Sequence, residues 1–255
     1  MKKLKKNKKI GLALGGGAVL GAAHIGVLKA LKEHDISISY VSGTSIGAFV
    51  SAFLAFEKTW EEIEEIAKDL NWLDISGMSL SQFGLLSNKK LGKLIEEYIG
   101  DVNFEEAKIP VAMIATDITS GDKVVLDKRN IAQAVMASTC IPGIFVPVEI
   151  EDRLLVDGGI VENVPITPLE DMGAEVIIGV DLNAEHARKK PENIIEVLLR
   201  SFDFLIKTAT ELQTAEADIL IKPDLSDFNM VDIDQADDLI EVGYKEAIKI
   251  LQKVT

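Results

Sequence analysis

The chain has 255 residues, a mass of 27.7 kDa and a formal net charge of −14 at pH 7. This length suits one α/β domain or two small ones, and the strong negative charge argues against binding to nucleic acid. The single cysteine, Cys140, excludes a disulfide framework and is typical of a reducing compartment, which predicts a cytoplasmic location. No apolar stretch of the sequence reaches the ~18 residues that suggest a membrane-spanning helix.

The N-terminal region is basic, because residues 1–9 (MKKLKKNKK) hold six of the 27 lysine and arginine residues. We expect these nine residues to form a disordered, solubilising arm. The alternative is peripheral membrane contact, in which each lysine near anionic headgroups contributes on the order of 1 kcal/mol. The glycine-rich segment that follows ends without a convincing cleavage site, so we do not interpret this region as a signal peptide.

Strands and helices alternate along the rest of the chain, as apolar periodicity and turn residues indicate. The predicted strands are residues 10–14, 39–43, 110–115, 124–126, 145–150, 154–156, 174–182 and 219–221, and the predicted helices are residues 22–34, 46–56, 59–70, 89–99, 131–137, 166–172, 192–216 and 236–254. This alternation predicts an α/β fold with a mostly parallel sheet and helices on both faces. The apolar stripe of the long helix is expected to cover one face of the sheet, through Ile194, Leu198, Leu205, Ala209 and Leu212.

A glycine-rich turn joins the first strand to the first helix, with the sequence Gly15-Gly16-Gly17-Ala18-Val19-Leu20-Gly21. Backbone N–H groups beside a helix N-terminus can bind either a dinucleotide pyrophosphate or a transient oxyanion. The dinucleotide fingerprint G-x-G-x-x-G requires glycine where Leu20 stands, and the P-loop requires a Lys-Ser/Thr pair that this turn lacks. The oxyanion interpretation therefore remains.

A second turn between a strand and a helix has the sequence Gly43-Thr44-Ser45-Ile46-Gly47, which is the pattern G-x-S-x-G. The absence of a Cβ at Gly43 and Gly47 permits a tight turn that exposes the serine hydroxyl at the end of the strand. The N-terminus of the following helix favours negative charge at this point. The pattern indicates either a nucleophilic serine or a structural turn without chemistry.

Two further segments carry candidate functions. Residues 71–88 (NWLDISGMSLSQFGLLSN) are loop-like and apolar, and they form either packing over the edge of the core or a mobile cover over an apolar groove. Asp157-Gly158-Gly159 follows a predicted hairpin. Its glycines leave the carboxylate uncovered, although a β-turn whose aspartate binds its own backbone would look the same.

A nucleophilic serine needs a base, and histidine is the usual one. The chain offers His24, His34 and His186. His24 is expected to pack the first helix, and His34 lies at a helix end. His186 follows Asp157 in the order of a Ser-Asp-His triad, but it lies in a polar connector. We therefore favour Asp157 as the direct base for Ser45.

Five segments together resemble the bacterial patatin-like phospholipases related to the neuropathy target esterase group: GGGAVLGAAHIGVL, GTSIG, ATDITSG, ASTCIPGIFVPV and DGGIVENVP. The resemblance implies a three-layer patatin-like sandwich, with the catalytic core in residues 10–182 and with residues 183–255 adding helices and a strand to the same domain. It also implies hydrolysis of acyl lipid esters by a Ser45-Asp157 dyad, with an oxyanion hole formed by Gly16, Gly17 and Ala18. The supporting glycines are Gly15, Gly21, Gly43, Gly47, Gly158 and Gly159. The proposed chemistry needs no cofactor or metal.

One position departs from the family pattern, because Leu20 stands where the family usually has arginine or lysine. If that cation supports the oxyanion turn or binds a lipid phosphate, its loss favours a neutral acyl ester over a phospholipid. A non-catalytic lipid-binding or protein-binding regulator on the same scaffold is the alternative function. The intact Ser45 and Asp157 argue against this alternative.

Overall fold

The structure is a computed structural model that describes residues 8–69, 77–78, 84–183 and 190–254. Within these residues, eight strands form one sheet in the order β11-β10-β1-β2-β5-β9-β8, with β6 also paired to β5. A small second sheet has the order β3-β4-β7. The strands are β1 (Ile10–Leu14), β2 (Tyr40–Thr44), β3 (Gly77–Met78), β4 (Gly84–Ser87), β5 (Val111–Asp117), β6 (Lys123–Leu126), β7 (Gly143–Phe145), β8 (Val148–Ile150), β9 (Arg153–Asp157), β10 (Val176–Val180) and β11 (Ile219–Ile221).

Helices lie on both faces of the large sheet, as expected. Side chains of β1 alternate between the faces, so Leu12 and Leu14 belong to the larger core, whereas Ala13 belongs to a second core with Leu169. The helices are α1 (Ala22–Glu33), α2 (Ile46–Ala55), α3 (Trp60–Asp69), α4 (Lys89–Ile99), α5 (Ile131–Ser138), α6 (Thr167–Asp171), α7 (Ile194–Gln213) and α8 (Ala236–Val254). The predicted three-layer α/β architecture is confirmed.

The pairing of β5 determines where the candidate site residues Ser45 and Asp157 meet. Its first half pairs in parallel with β2, ending at Thr44 opposite Ile114, and its second half pairs antiparallel with β9, beginning at Asp157 opposite Ala115. Strand β6 pairs with both halves of β5, so it occupies the other edge. Therefore β2 and β9 follow one another along the same edge of β5, and Asp157 lies just beyond the end of β2.

Three predicted elements differ from the structure. The segment predicted to be loop-like, residues 71–88, contains the two paired strands β3 and β4 in its described part. The single strand predicted at residues 145–150 is divided between the sheets, since β7 pairs with β4 and β8 pairs with β9. Pro147 stands between the two halves, and it has no N–H with which to continue a ladder. The hairpin between β8 and β9 is confirmed, with a positive φ at both Glu151 and Asp152, as in the tightest hairpin turns.

The prediction for the long helix is wrong in its orientation. The apolar stripe on α7 faces outward, with Ile194, Leu205 and Leu212 exposed by 61%, 79% and 74%, while Leu198 and Ala209 are half-buried. The buried face carries Leu199, Asp203, Ile206 and Thr210. Helical spacing identified an apolar face, but α7 packs with its mixed face inward, and that face lines the candidate site described below.

The C-terminal helix α8 packs closely against α1. A Cβ on Gly26 would lie 1.9 Å from the carbonyl oxygen of Ile240, and a Cβ on Gly243 would lie 2.1 Å from that of Ala23. Glycine at both crossing points therefore allows the two backbones to touch. Of the helices in the described ranges, none is long and apolar enough to cross a membrane.

Of the predicted N-terminal arm, Lys8 and Lys9 lie within the described part of the chain. The Lys9 amide donates to Glu175 Oε2 at 2.9 Å, and the Lys8 ammonium lies 3.9 Å from Glu175 Oε1. The other lysines of the arm lie outside the described residues. Most of the predicted cover over the groove also lies outside them, apart from residues 77–78 and 84–88.

Candidate active site

Ser45 stands in the sharp turn between β2 and α2. Its φ of 55° and ψ of −124° place a non-glycine residue in the left-handed half of backbone space, a strain that is typical of functional turns. A Cβ on Gly43 would lie 2.3 Å from the carbonyl oxygen of Gly47, and a Cβ on Gly47 would lie 2.0 Å from that of Leu14. Only glycine fits at either position, so the sequence pattern and the local geometry agree.

Ser138, the last residue of α5, holds the strained turn by hydrogen bonds. The amide of Ser45 donates to the hydroxyl of Ser138 at 2.9 Å, and that hydroxyl donates to the carbonyl of Ile114 at 2.6 Å. Ser138 thereby ties the turn to the point on β5 where β2 ends. Sequence reasoning assigned Ser138 no role, although it lies in the family segment ASTCIPGIFVPV.

Asp157 is fully buried, with 0% exposure. Its Oδ1 accepts a hydrogen bond from the amide of Gly159 at 2.8 Å, so the backbone turn expected as an alternative is present. Its Oδ2 has no hydrogen-bond partner among the described residues. Burial raises the pKa of Asp157 from 3.8 to about 7, against the smaller lowering effects of the neighbouring Ser45 hydroxyl and the Gly159 amide.

The Ser45 hydroxyl is therefore a neighbour of the Asp157 carboxyl, but the two form no hydrogen bond of normal geometry in the described structure. Long or misaligned contacts of this kind are common in catalytic pairs without substrate. Thr116 holds the backbone of Asp157, because its hydroxyl donates to the backbone carbonyl of Asp157 at 2.9 Å. A Cβ on Gly158 would lie 2.2 Å from the carbonyl oxygen of Ile114, so glycine is required for the approach to β5.

The glycine-rich turn lies beside the serine. The amide of Gly15 donates to the carbonyl of Val180 at 3.1 Å, and the amide of Gly16 donates to the carbonyl of Asn163 at 3.2 Å. The amides of Gly17 and Ala18 have no acceptor among the described residues. Ala18 also has a φ of 52°, which is a strained value for alanine. The Gly16 amide is thus engaged, and the next two remain available to an anion.

Gly21 is the last residue of this turn, and it packs against Ile46, the residue that follows Ser45. A Cβ on Gly21 would lie 2.1 Å from Ile46 Cγ1, so glycine allows the two turns to pack together. Leu20 is buried with 1% exposure and belongs to the main core. The position that is basic in the family pattern therefore contributes packing here.

The histidines do not form a triad with Ser45 in the described structure. His24 is buried, and its Nε2 lies 2.8 Å from the carbonyl of Gly15. Burial lowers the pKa of His24 to about 4, so at neutral pH the neutral ring donates from Nε2 and holds the glycine-rich turn. His34 contacts the carbonyl of Ala30 at the end of α1. His186 lies outside the described residues.

A cavity of about 540 Å³ opens beside Ser45, within the usual range for ligand sites. Its wall is mostly apolar and includes Ile46, Leu86, Ile141, Ile144, Phe145, Ile195, Leu199 and Met230. Three acidic residues, Glu196, Asp232 and Asp234, also line it, and the lining drawn from the described residues includes no lysine or arginine. Within the same residues, no group of three or more histidine, cysteine or acidic side chains could hold a metal ion.

Comparison with known proteins identifies the family of the chain. Residues 12–170 match the family model described as Patatin-like phospholipase. An uncharacterized NTE family protein of Mycobacterium tuberculosis is 35% identical over 182 residues, which cover 70% of this chain and 50% of that protein. Neuropathy target esterase sws of Drosophila melanogaster is 32% identical over 184 residues, which cover 69% of this chain and 13% of that protein. The chain thus spans about half the length of the mycobacterial relative.

Solved structures show the same fold. VipD from Legionella pneumophila superimposes with a TM-score of 0.67 at 15% identity, over 99% of this chain and 70% of that one. The type III effector ExoU of Pseudomonas aeruginosa superimposes with a TM-score of 0.56 at 15% identity, over 96% of this chain and 53% of that one. The fold likeness and the family match over residues 12–170 agree: the chain belongs to the patatin-like phospholipase family.

Proposed function

We propose that the protein is a serine hydrolase of fatty-acyl esters that works through a Ser45-Asp157 dyad and an acyl-enzyme. The observation that carries this proposal is the pairing along β5, where β2 ends and β9 takes its place, so that a strained serine faces a buried carboxyl. A relative of this chain is a neuropathy target esterase, and the family to which the chain belongs is named for phospholipase activity. Both descriptions are compatible with acyl ester chemistry.

The proposed cycle has two halves. The Asp157 carboxylate removes the proton of the Ser45 hydroxyl as its Oγ attacks the ester carbonyl, and the tetrahedral intermediate expels the alcohol, which takes the proton. A water molecule then attacks the acyl-enzyme, gives its proton to Asp157, and the fatty acid leaves as Ser45 is restored. We assign the oxyanion to the amides of Gly17 and Ala18, each of which typically contributes about 3 kcal/mol in such sites. Gly16 would join them only if its bond to Asn163 broke.

The cavity indicates the class of substrate. Its apolar wall suits an acyl chain, while Glu196, Asp232 and Asp234, which line the same cavity, would repel a negatively charged group. Because Leu20 is buried in the core, the turn supplies no cation to offset them. We therefore propose that an acyl ester without net negative charge is preferred over an anionic lipid. Uncharged and anionic esters of the same acyl chain, compared by kcat/KM, test this preference.

The function is tested with a 4-nitrophenyl acyl ester. We expect the protein to hydrolyse it, and Ser45→Ala and Asp157→Asn each to lose at least about 100-fold in kcat while remaining folded. Full activity in either variant would overturn the dyad. Absence of hydrolysis in the unaltered protein, across esters of graded chain length, would instead favour the non-catalytic binder. A cytoplasmic location and membrane contact through the lysine-rich arm remain proposals that rest on Cys140 and on residues 1–9 alone.

A further inference from the structure

Asn163 lies between the two turns that form the site, and nothing in the sequence reasoning gave it a role. It is 1% exposed. Its carbonyl accepts the hydrogen bond from the Gly16 amide at 3.2 Å, and its own amide donates to Gln213 Oε1 at 3.1 Å. The Gln213 side chain also donates to the carbonyl of Val161 at 2.8 Å. The backbone of Asn163 is thus fixed both to the glycine-rich turn and to α7.

The side-chain carboxamide of Asn163, unlike its backbone, makes no hydrogen bond to the described residues. Both its Oδ1 and its Nδ2 are buried, and neither has a hydrogen-bond partner among the described residues. A buried polar group left unpaired destabilises the fold, and such groups in native proteins are rare enough to require an explanation. Asn163 lines the same small cavity as Ser45, Asp157, Gly17 and Ala18. Its unpaired donor and acceptor therefore belong to the reaction site.

Two glycines keep the space in front of this carboxamide open. The position that a Cβ on Gly16 would take is 2.7 Å from Asn163 Oδ1 and 3.2 Å from Ser45 Cβ. The position that a Cβ on Gly159 would take is 3.3 Å from Asn163 Oδ1 and 3.1 Å from Asp157 Oδ1. The carboxamide consequently borders both the space beside the serine and the space beside the carboxylate.

We infer that the Asn163 carboxamide binds the water molecule that hydrolyses the acyl-enzyme. This inference rests on the proposed function. Water both donates and accepts hydrogen bonds, and a carboxamide offers one group of each kind. In this step the water oxygen forms a bond to the acyl carbon, and its proton passes to the free Oδ2 of Asp157. The bond from the acyl carbon to Ser45 Oγ then breaks, and the proton moves from Asp157 to Oγ.

The substitution Asn163→Leu tests the inference, because leucine has the same number and branching of side-chain heavy atoms as asparagine but lacks both polar atoms. Replacing unpaired polar atoms by an apolar side chain of similar shape is expected to leave the melting temperature unchanged or to raise it. Rapid mixing with a 4-nitrophenyl ester separates the two halves of the reaction. We expect the first burst of nitrophenol, which reports acylation, to keep its rate within about threefold. Steady turnover should fall by about 10- to 100-fold, the equivalent of about 1.4–2.7 kcal/mol.

Intact mass spectrometry supplies the second readout, since the Leu variant should accumulate an acyl group on Ser45 during turnover. Asn183→Leu is the matched control: Asn183 is also buried with an unpaired Nδ2, but it lines a different cavity with Lys207, Glu211 and Lys222, so both phases should be unchanged. If Asn163→Leu slows the burst and the steady rate by the same factor, or changes neither, the inference is wrong. The unaltered protein would still hydrolyse the ester in either case, so the proposed function would stand.

Discussion

We predict that the ionised carboxyl of Asp157, the proposed catalytic base, destabilises the fold because it is buried. Burial raises its pKa from 3.8 to about 7, and each pKa unit corresponds to about 1.4 kcal/mol. Ionised Asp157 therefore costs the folded state about 4 kcal/mol relative to the unfolded chain. Asp157→Asn keeps the shape and can still accept the hydrogen bond from Gly159, but it carries no charge. We expect this variant to be the more stable protein at neutral and alkaline pH.

The sign of the pH dependence follows from proton binding. Between about pH 4 and pH 7 the folded state holds a proton on Asp157 that the unfolded chain has released, so this group reduces stability as the pH rises. The advantage of Asp157→Asn should grow by about 1.4 kcal/mol for each pH unit in this window and stay constant above it.

Urea unfolding of both proteins, followed by circular dichroism at a series of pH values, measures this difference. Asp127→Asn, at an exposed loop position, is the control and should show no comparable pH-dependent gain. A constant difference between Asp157→Asn and the unaltered protein from pH 5 to pH 9, or a loss of stability in the variant, would refute the argument from burial.

Three other predictions concern the pH dependence of activity, the close backbone approach at Gly47 and the buried thiol of Cys140. Since the proposed mechanism requires Asp157 to be ionised, kcat/KM should rise with pH through a midpoint near 7 and then level off, whereas independence of pH in this range would contradict the proposed role. Gly47→Ala, whose Cβ would lie 2.0 Å from a backbone oxygen, should lower the free energy of unfolding by about 3 kcal/mol or more. Gly179→Ala, with its nearest atom at 3.3 Å, should cost much less, and equal losses in urea unfolding would argue against the close approach. Burial raises the pKa of Cys140 to about 12, so its thiol should resist Ellman's reagent in the native protein and react once the chain unfolds.

Local chemistry accounts for what could be predicted from the sequence. The turn around Ser45 was recognisable because two glycines in a fixed pattern permit only a few backbone paths. The succession of strands and helices followed from apolar runs, and most of their boundaries agree with the structure within a few residues.

Long-range packing accounts for what the sequence did not reveal. The roles of Ser138 and Asn163 depend on hydrogen bonds to Ser45 and Gly16, which lie far away in the chain. Likewise, the spacing of apolar residues in α7 could not show that Asp203 and Thr210 are buried and Leu205 is exposed. Which face of α7 is buried depends on how the helix packs over the candidate site, and the periodicity of its apolar residues carries no information about that packing.

Covalent labelling with a fluorophosphonate tests most directly whether Ser45 is an activated nucleophile. Peptide mapping by mass spectrometry should find one phosphonyl group on Ser45 in the unaltered protein, and Asp157→Asn should be labelled far more slowly under the same conditions. A protein that hydrolyses acyl esters but carries the adduct on another residue, or that labels equally fast without the carboxylate, would contradict the account.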